Sequence, residues 1–114
     1  MSLIFQTLAD MLPPGSVEYV GNNQLKINLT QMTGESLNFQ SSCVEPIIKL
    51  MNHLVNVTNA VNASRATANP PRYPIAFVSK DLIGTPDAPE LEYTMRVAVD
   101  TNQFLNNLID PTDD

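Results

Sequence analysis

The apolar residues change rhythm several times along the chain. Ile4, Leu8, Met11 and Leu12 recur at helical spacing, and Pro13-Pro14-Gly15 closes the run. Ser2 stands where a helix cap belongs. The period then drops to two. Val17 and Tyr19, and after them Leu25, Ile27 and Leu29, alternate with polar neighbours on either side of Gly21-Asn22-Asn23. Gly and Asn tolerate positive φ, so this stretch predicts a β-hairpin. Residues 31–42 keep no clear period; Gly34 interrupts them, and Leu37 and Phe39 read as a strand stub or an anchored loop.

Helical spacing returns near Ser42 and lasts to Arg65. Ser42 followed three residues later by Glu45 fits a capping box, and Pro46 is tolerated only in a first turn. Asn69-Pro70-Pro71 cannot continue a helix. Residues 72–83 and 89–100, joined by Gly84–Ala88, then predict a second hairpin, with Pro74 marking a strand start or a sheet edge. In its second half Leu91, Tyr93, Met95, Val97 and Val99 face one way and Glu92, Thr94, Arg96 and Asp100 the other, which gives one dry face and one wet face. Phe104, Leu105, Leu108 and Ile109 predict a closing helix, capped by Asp100 with Gln103 and ended by Asp110-Pro111.

The expected order is therefore α-β-β-α-β-β-α, an α+β fold. Its natural architecture is an antiparallel sheet of about four strands, two hairpins, with the long helix packed across it. Residues 1–110 read as a single α+β domain and residues 111–114 as a frayed acidic tail. A layout of helix, double proline and hairpin occurs at residues 3–30 and again at 46–100, although the residues themselves do not repeat.

On a helical wheel, Ile47, Ile48, Leu50, Met51, Leu54, Val55, Val57, Thr58 and Val61 fill an arc roughly 180° wide. A surface helix on one core needs only about 100°. The opposite arc holds Asn52, Asn56, Ala60 and Ala63 with His53, Lys49 and Glu45, no formal charge falls from Leu50 to Ser64, Asn59 lies at the border, and Asn62 intrudes on the apolar side. Asn, Val and Thr are mediocre helix formers, so packing must hold this helix. Neutral small residues permit close approach without burying charge. The helix is thus expected to be covered on more than one side, by its own chain or by a second one. Leu50, Asn52, Asn56, Val57, Asn59 and Ala60 are the candidate interface.

Composition sharpens this picture. Charged residues make up 16% of the 114-residue chain, against about 25% in ordinary soluble domains. The net charge is −6, which disfavours nucleic acid and anionic membrane surfaces as partners. Residues 43–80 are net basic, with Lys49, Arg65, Arg72 and Lys80 against Glu45. Residues 81–114 set eight acids against Arg96 alone. Cys43 is the single cysteine, so no internal disulfide is possible, in keeping with a reducing compartment. No basic, apolar leader pattern and no run of about 20 apolar residues occurs. A cytoplasmic location and no membrane partner are the expectation.

Candidate chemistry is sparse. Glu45, Lys49 and His53 share one helix face, an arrangement that ordinary i, i+4 helix support explains as well as proton transfer does. Cys43 precedes a helix N-terminus, where a thiolate is stabilised, but capping and packing need the same small residue. Asp81, Asp87, Glu90 and Glu92 surround the second hairpin's loop without calcium-loop spacing. No zinc or EF-hand pattern and no phosphate-cradling glycine loop appears, so no metal, cofactor or catalytic residue is assigned. The expected function is a non-catalytic interaction or assembly subunit acting as a homo-oligomer or on a protein partner. The alternative is a small-molecule-binding domain or small enzyme whose pocket, between helix and sheet, is lined by His53, Tyr93 and Met95.

Overall fold

The computed structural model describes residues 3–99 and 108–112. It is α+β, with antiparallel strands and one long helix, as the periodicity predicts. The elements are α1 (Phe5–Met11), β1 (Val17–Gly21), β2 (Gln24–Ile27), α2 (Leu29–Thr33), α3 (Val44–Ala66), β3 (Val78–Thr85), β4 (Ala88–Met95), β5 (Ala98–Val99) and β6 (Leu108–Ile109). Both expected hairpins form, and each makes a two-stranded sheet of its own. The chain gathers into two compact units, Ile4–His53 and the residues from Leu54 onward together with Leu3.

In the first unit β1 and β2 pair from Val17↔Ile27 to Gly21↔Gln24. Asn22 and Asn23 both take positive φ, 54° and 60°, the requirement of a two-residue type I′ turn. The strand alternation had placed Leu29 at the end of β2, but the chain turns one residue earlier into α2. Asn28 accepts a hydrogen bond from the Gln31 N–H at 3.1 Å, and Gly34 ends the turn in the left-handed region. This short helix is absent from the predicted order because five residues with two threonines carry almost no periodic signal. Leu12, Met32, Ser16, Thr33 and Pro46 are the buried residues of this unit. Ser16 ties its parts together, donating to the Pro13 carbonyl and accepting from the Asn28 N–H.

The expected capping box of α3 does not close. The helix begins at Val44, whose N–H is accepted by Ser42 Oγ at 3.3 Å, while Glu45 pairs forward with Lys49 at 3.0 Å. Pro46 falls in the first turn, as required.

Among the described residues of the second unit Val57, Val61 and Val78 are the buried apolar side chains, with Thr58 and Arg65 also buried. Residues 72–77, expected as strand, instead run alongside α3 and bond to its side chains. Asn62 holds both backbone groups of Ile75, its Nδ2 donating to the carbonyl at 2.9 Å and its Oδ1 accepting from the N–H at 2.7 Å. Arg65 Nε donates to the Tyr73 carbonyl at 2.6 Å, and Thr58 Oγ1 accepts from the Val78 N–H at 3.2 Å. The intruding Asn62 is therefore a strand-like partner presented by a helix. Pro74 explains why the segment does not join a ladder.

The closing helix expected from Phe104 and Leu105 lies largely outside the described residues. Leu108 and Ile109 are not helical; they pair with Val99 and Ala98 as a short antiparallel ladder. Thr112, assigned by the sequence to the frayed tail, donates its N–H and hydroxyl to Asp110 Oδ1, and its carbonyl accepts from Arg65.

Candidate functional site

Three places combine apolar chemistry with exposure. The first is an open groove of about 560 Å³ in the unit Ile4–His53. Its floor and walls come from Ile27 at the end of β2, Leu29 and Met32 on α2, and Pro46, Ile47 and Leu50 on the first turns of α3; Leu37 and Phe39 close it. Alternation explains Ile27, and i, i+3/i+4 spacing explains Met32 after Leu29 and Leu50 after Pro46 and Ile47. Asn38, Ser41, Ser42 and Cys43 form the polar rim. Three of these are engaged locally: Asn38 and Ser41 bond each other's backbone, and Ser42 caps Val44. No charged side chain lines the groove.

The second place is the β3–β4 ribbon. Its register pairs Val78 with Met95, Lys80 with Tyr93 and Leu82 with Leu91, one face being apolar apart from Lys80. The other face sets Asp81 against Glu92 and Ile83 against Glu90. The alternation of Leu91, Tyr93 and Met95 is thus real, yet the face it builds is not dry: Leu82, Leu91 and Met95 are each more than half exposed. The third place, a smaller apolar groove, lies between α1 and the first hairpin and is lined by Phe5, Ala9, Val17, Tyr19 and Leu25.

A more polar cavity of about 510 Å³ brings Arg65 and Arg96 to one wall with Tyr73, Ile75 and Val97. Arg65 is nine-tenths buried and bonds the carbonyls of Tyr73 and Thr112, so its role there is to bind backbone.

The candidate residues distribute as follows. Leu50, Asn52 and Ala60 are half-buried, Asn56 and Asn59 exposed. Val57 is 1% exposed and belongs to the core. Of this set Leu50 lines the groove. His53 closes one unit, whereas Tyr93 and Met95 lie on β4 in the other, and none of the cavities above has any of the three in its lining. Lys49, set in a row with Glu45 and His53 by the sequence, bonds both the Glu45 carboxylate and, at 2.7 Å, the carbonyl of Thr33 at the end of α2. A cation at a helix C-terminus offsets the partial negative charge of the last carbonyls. Among the described residues no three His, Cys, Asp or Glu side chains converge on a metal position. No helix among them is long and apolar enough to cross a membrane.

Sequence reasoning missed the groove because it is built by α2 and by residues 37–43, the stretch without period. Its one signal was Leu37 and Phe39, two apolar residues at strand spacing with no further alternation around them. Comparison with known protein families, curated proteins and solved structures finds no match.

Proposed function

We propose that this chain is a non-catalytic interaction or assembly subunit that works through oligomerisation. The observation that supports this reading is the imbalance between its buried and its exposed apolar side chains. Among the described residues Leu12, Met32, Val57, Val61 and Val78 are the buried apolar side chains, while Ile27, Leu29, Phe39, Val44 and Ile47 in one unit and Leu82, Leu91 and Met95 in the other stand in solvent. Burying a side chain of this size is worth about 1.5–3 kcal/mol, so leaving clusters of them exposed is unfavourable unless a partner covers them. The single cysteine, exposed at the groove, accords with a reducing, cytoplasmic setting. The acidic balance argues against nucleic acid as the partner.

Size-exclusion chromatography with light scattering tests the reading. A mass that is a multiple of 12.5 kDa, or a stable complex with a protein partner, is expected. A chain that stays monomeric and partnerless at high concentration overturns it.

A second reading, small-molecule binding, draws on the groove's volume, which falls within the roughly 300–1,000 Å³ of ligand sites. It requires convergent polar groups, and most of those at the rim are already bonded to the loop. A ligand-induced rise in Tm that Leu50→Glu abolishes would favour it.

A further inference from the structure

We propose that the groove lined by Ile27, Leu29, Met32, Ile47 and Leu50 seats a second copy of this chain, with Phe39 of each copy entering the groove of the other. This inference rests on the association reading above and names its surface and its partner.

The case begins with Phe39. Its relative exposure is 106%, so the ring stands in solvent at the edge of the groove it borders. Yet the loop that carries it is not slack. The Ser41 N–H donates to the Asn38 carbonyl at 3.0 Å, the Asn38 N–H to Ser41 Oγ at 3.0 Å, and the Gln40 N–H to Asn38 Oδ1 at 2.8 Å. A loop closed on itself by three hydrogen bonds holds an aromatic side chain outward before any partner arrives. Such preorganisation removes part of the ordering cost of association, and aromatic residues so placed make the central anchors of interfaces.

The groove beside it has the matching chemistry. A cavity of about 150 Å³ is enough for a benzene ring. The groove's volume of about 560 Å³ therefore takes one ring with space for a neighbouring side chain. Phe39 both forms the lip of its own groove and offers the plug for another. A residue with both roles must lie close to a two-fold axis, which is the isologous arrangement of most homodimers.

Area and charge favour a second copy over a charged partner. Ile27, Leu29 and Ile47 are 49%, 41% and 53% exposed. Together with Phe39 they leave on the order of 500 Å² in water, against ~800 Å² per partner in a standard interface. That suits a dimer at the small, weak end of the range; area does not fix affinity, and a Kd on the order of 10 µM is taken for it. Glu45 and Lys49, which precede the groove residues Pro46 and Leu50, pair at 3.0 Å, while Lys26 precedes Ile27. Although each copy is −6 overall, the uncharged lining lets two copies meet there without like charges in direct contact, and a charged ligand finds no counter-ion in it.

The test uses the whole chain. Light scattering is followed from about 1 µM to about 200 µM for the wild type, Phe39→Asp and Leu82→Asp, the last altering the ribbon instead. In parallel, the rate of maleimide labelling of Cys43, which lines the groove and is exposed, reports whether a partner covers it. The expected result is a wild-type dimer whose Cys43 labelling slows about fivefold over that range, as a Kd near 10 µM requires. Phe39→Asp should be monomeric with concentration-independent labelling, and Leu82→Asp should behave as wild type. If the wild type associates but Phe39→Asp associates equally and Cys43 is never protected, the groove proposal fails and the association reading stands. A wild type that remains monomeric with constant labelling overturns the groove proposal and homo-oligomerisation together. The wild-type labelling series decides the matter even if the Phe39 variant misfolds.

Discussion

Asn62 shows how one polar atom pair can outweigh a hydrophobic pattern. By position it belongs to the apolar arc of α3, where leucine would extend the stripe. Leucine would leave the Ile75 N–H and carbonyl without the partners they have at 2.7 and 2.9 Å. Abandoned backbone groups cost about 1–3 kcal/mol together with the side chain's own contribution. Asn62→Leu should therefore lower stability by that amount in urea unfolding, although it improves the wheel; an increase would show that the pattern, not the bonding, governs this position. Thr58 presents the same logic one turn earlier, donating to Leu54 and accepting from Val78. These roles were illegible in the sequence because helical periodicity reports only where apolar groups recur. It says nothing about an unladdered strand that needs side-chain partners. The wheel located the side that packs, and Val57 and Val61 are indeed in the core. It did not distinguish packing on apolar atoms from bonding to backbone.

At the scale of elements, turn chemistry was the most readable feature. Gly21-Asn22-Asn23 forms a turn with three consecutive positive φ values, and Gly84 to Ala88 forms the tip of β3–β4. Gly84 has φ +88°, and a Cβ there would collide with the Ala88 carbonyl oxygen. Gly84→Ala is expected to destabilise the ribbon by more than about 1 kcal/mol and to weaken cross-strand nuclear Overhauser contacts near the tip first. An unchanged contact pattern would refute that assignment. Short elements set by caps were the least readable. Asn28 and Gly34 bracket α2 as cap and left-handed end, but their signal was absorbed into the alternation of Leu25, Ile27 and Leu29. Asn28→Ala should cost about 1 kcal/mol in thermal or urea unfolding. Because α2 supplies Leu29 and Met32 to the groove, the same change should also weaken association if the groove is the contact. Strand-length estimates erred in one direction: the second hairpin was drawn from residue 72, but its ladder starts at Val78, since Asn62 and Arg65 take the backbone of the residues before it.

For the whole molecule, what most needs explanation is a ribbon of eight register pairs whose two faces are both in solvent. An isolated two-stranded hairpin is marginal in water, because it gains few buried contacts for the backbone order it requires. This one also sets Asp81 directly against Glu92, a like-charge pair that opposes closure. Its cross-strand Leu82 and Leu91 favour closure but remain largely exposed. The balance places β3–β4 among the least stable parts of the fold, whereas Val78, at its base, is anchored to Thr58. Amide hydrogen exchange should therefore show a gradient at low concentration, with protection at Val57, Val61 and Val78 and rapid exchange toward Thr85 and Ala88. A dimer joined through the groove leaves the ribbon uncovered, so exchange along 79–94 should not change as concentration rises, whereas a further contact on its apolar face would slow it. If exchange toward the tip is as slow as at Val78 and independent of concentration, the ribbon is stable by itself and its exposed leucines give no support to association. If protection rises at the groove residues 27–50 and not along the ribbon, the groove alone carries the contact, and the acidic face of β3–β4 remains a solvated arm.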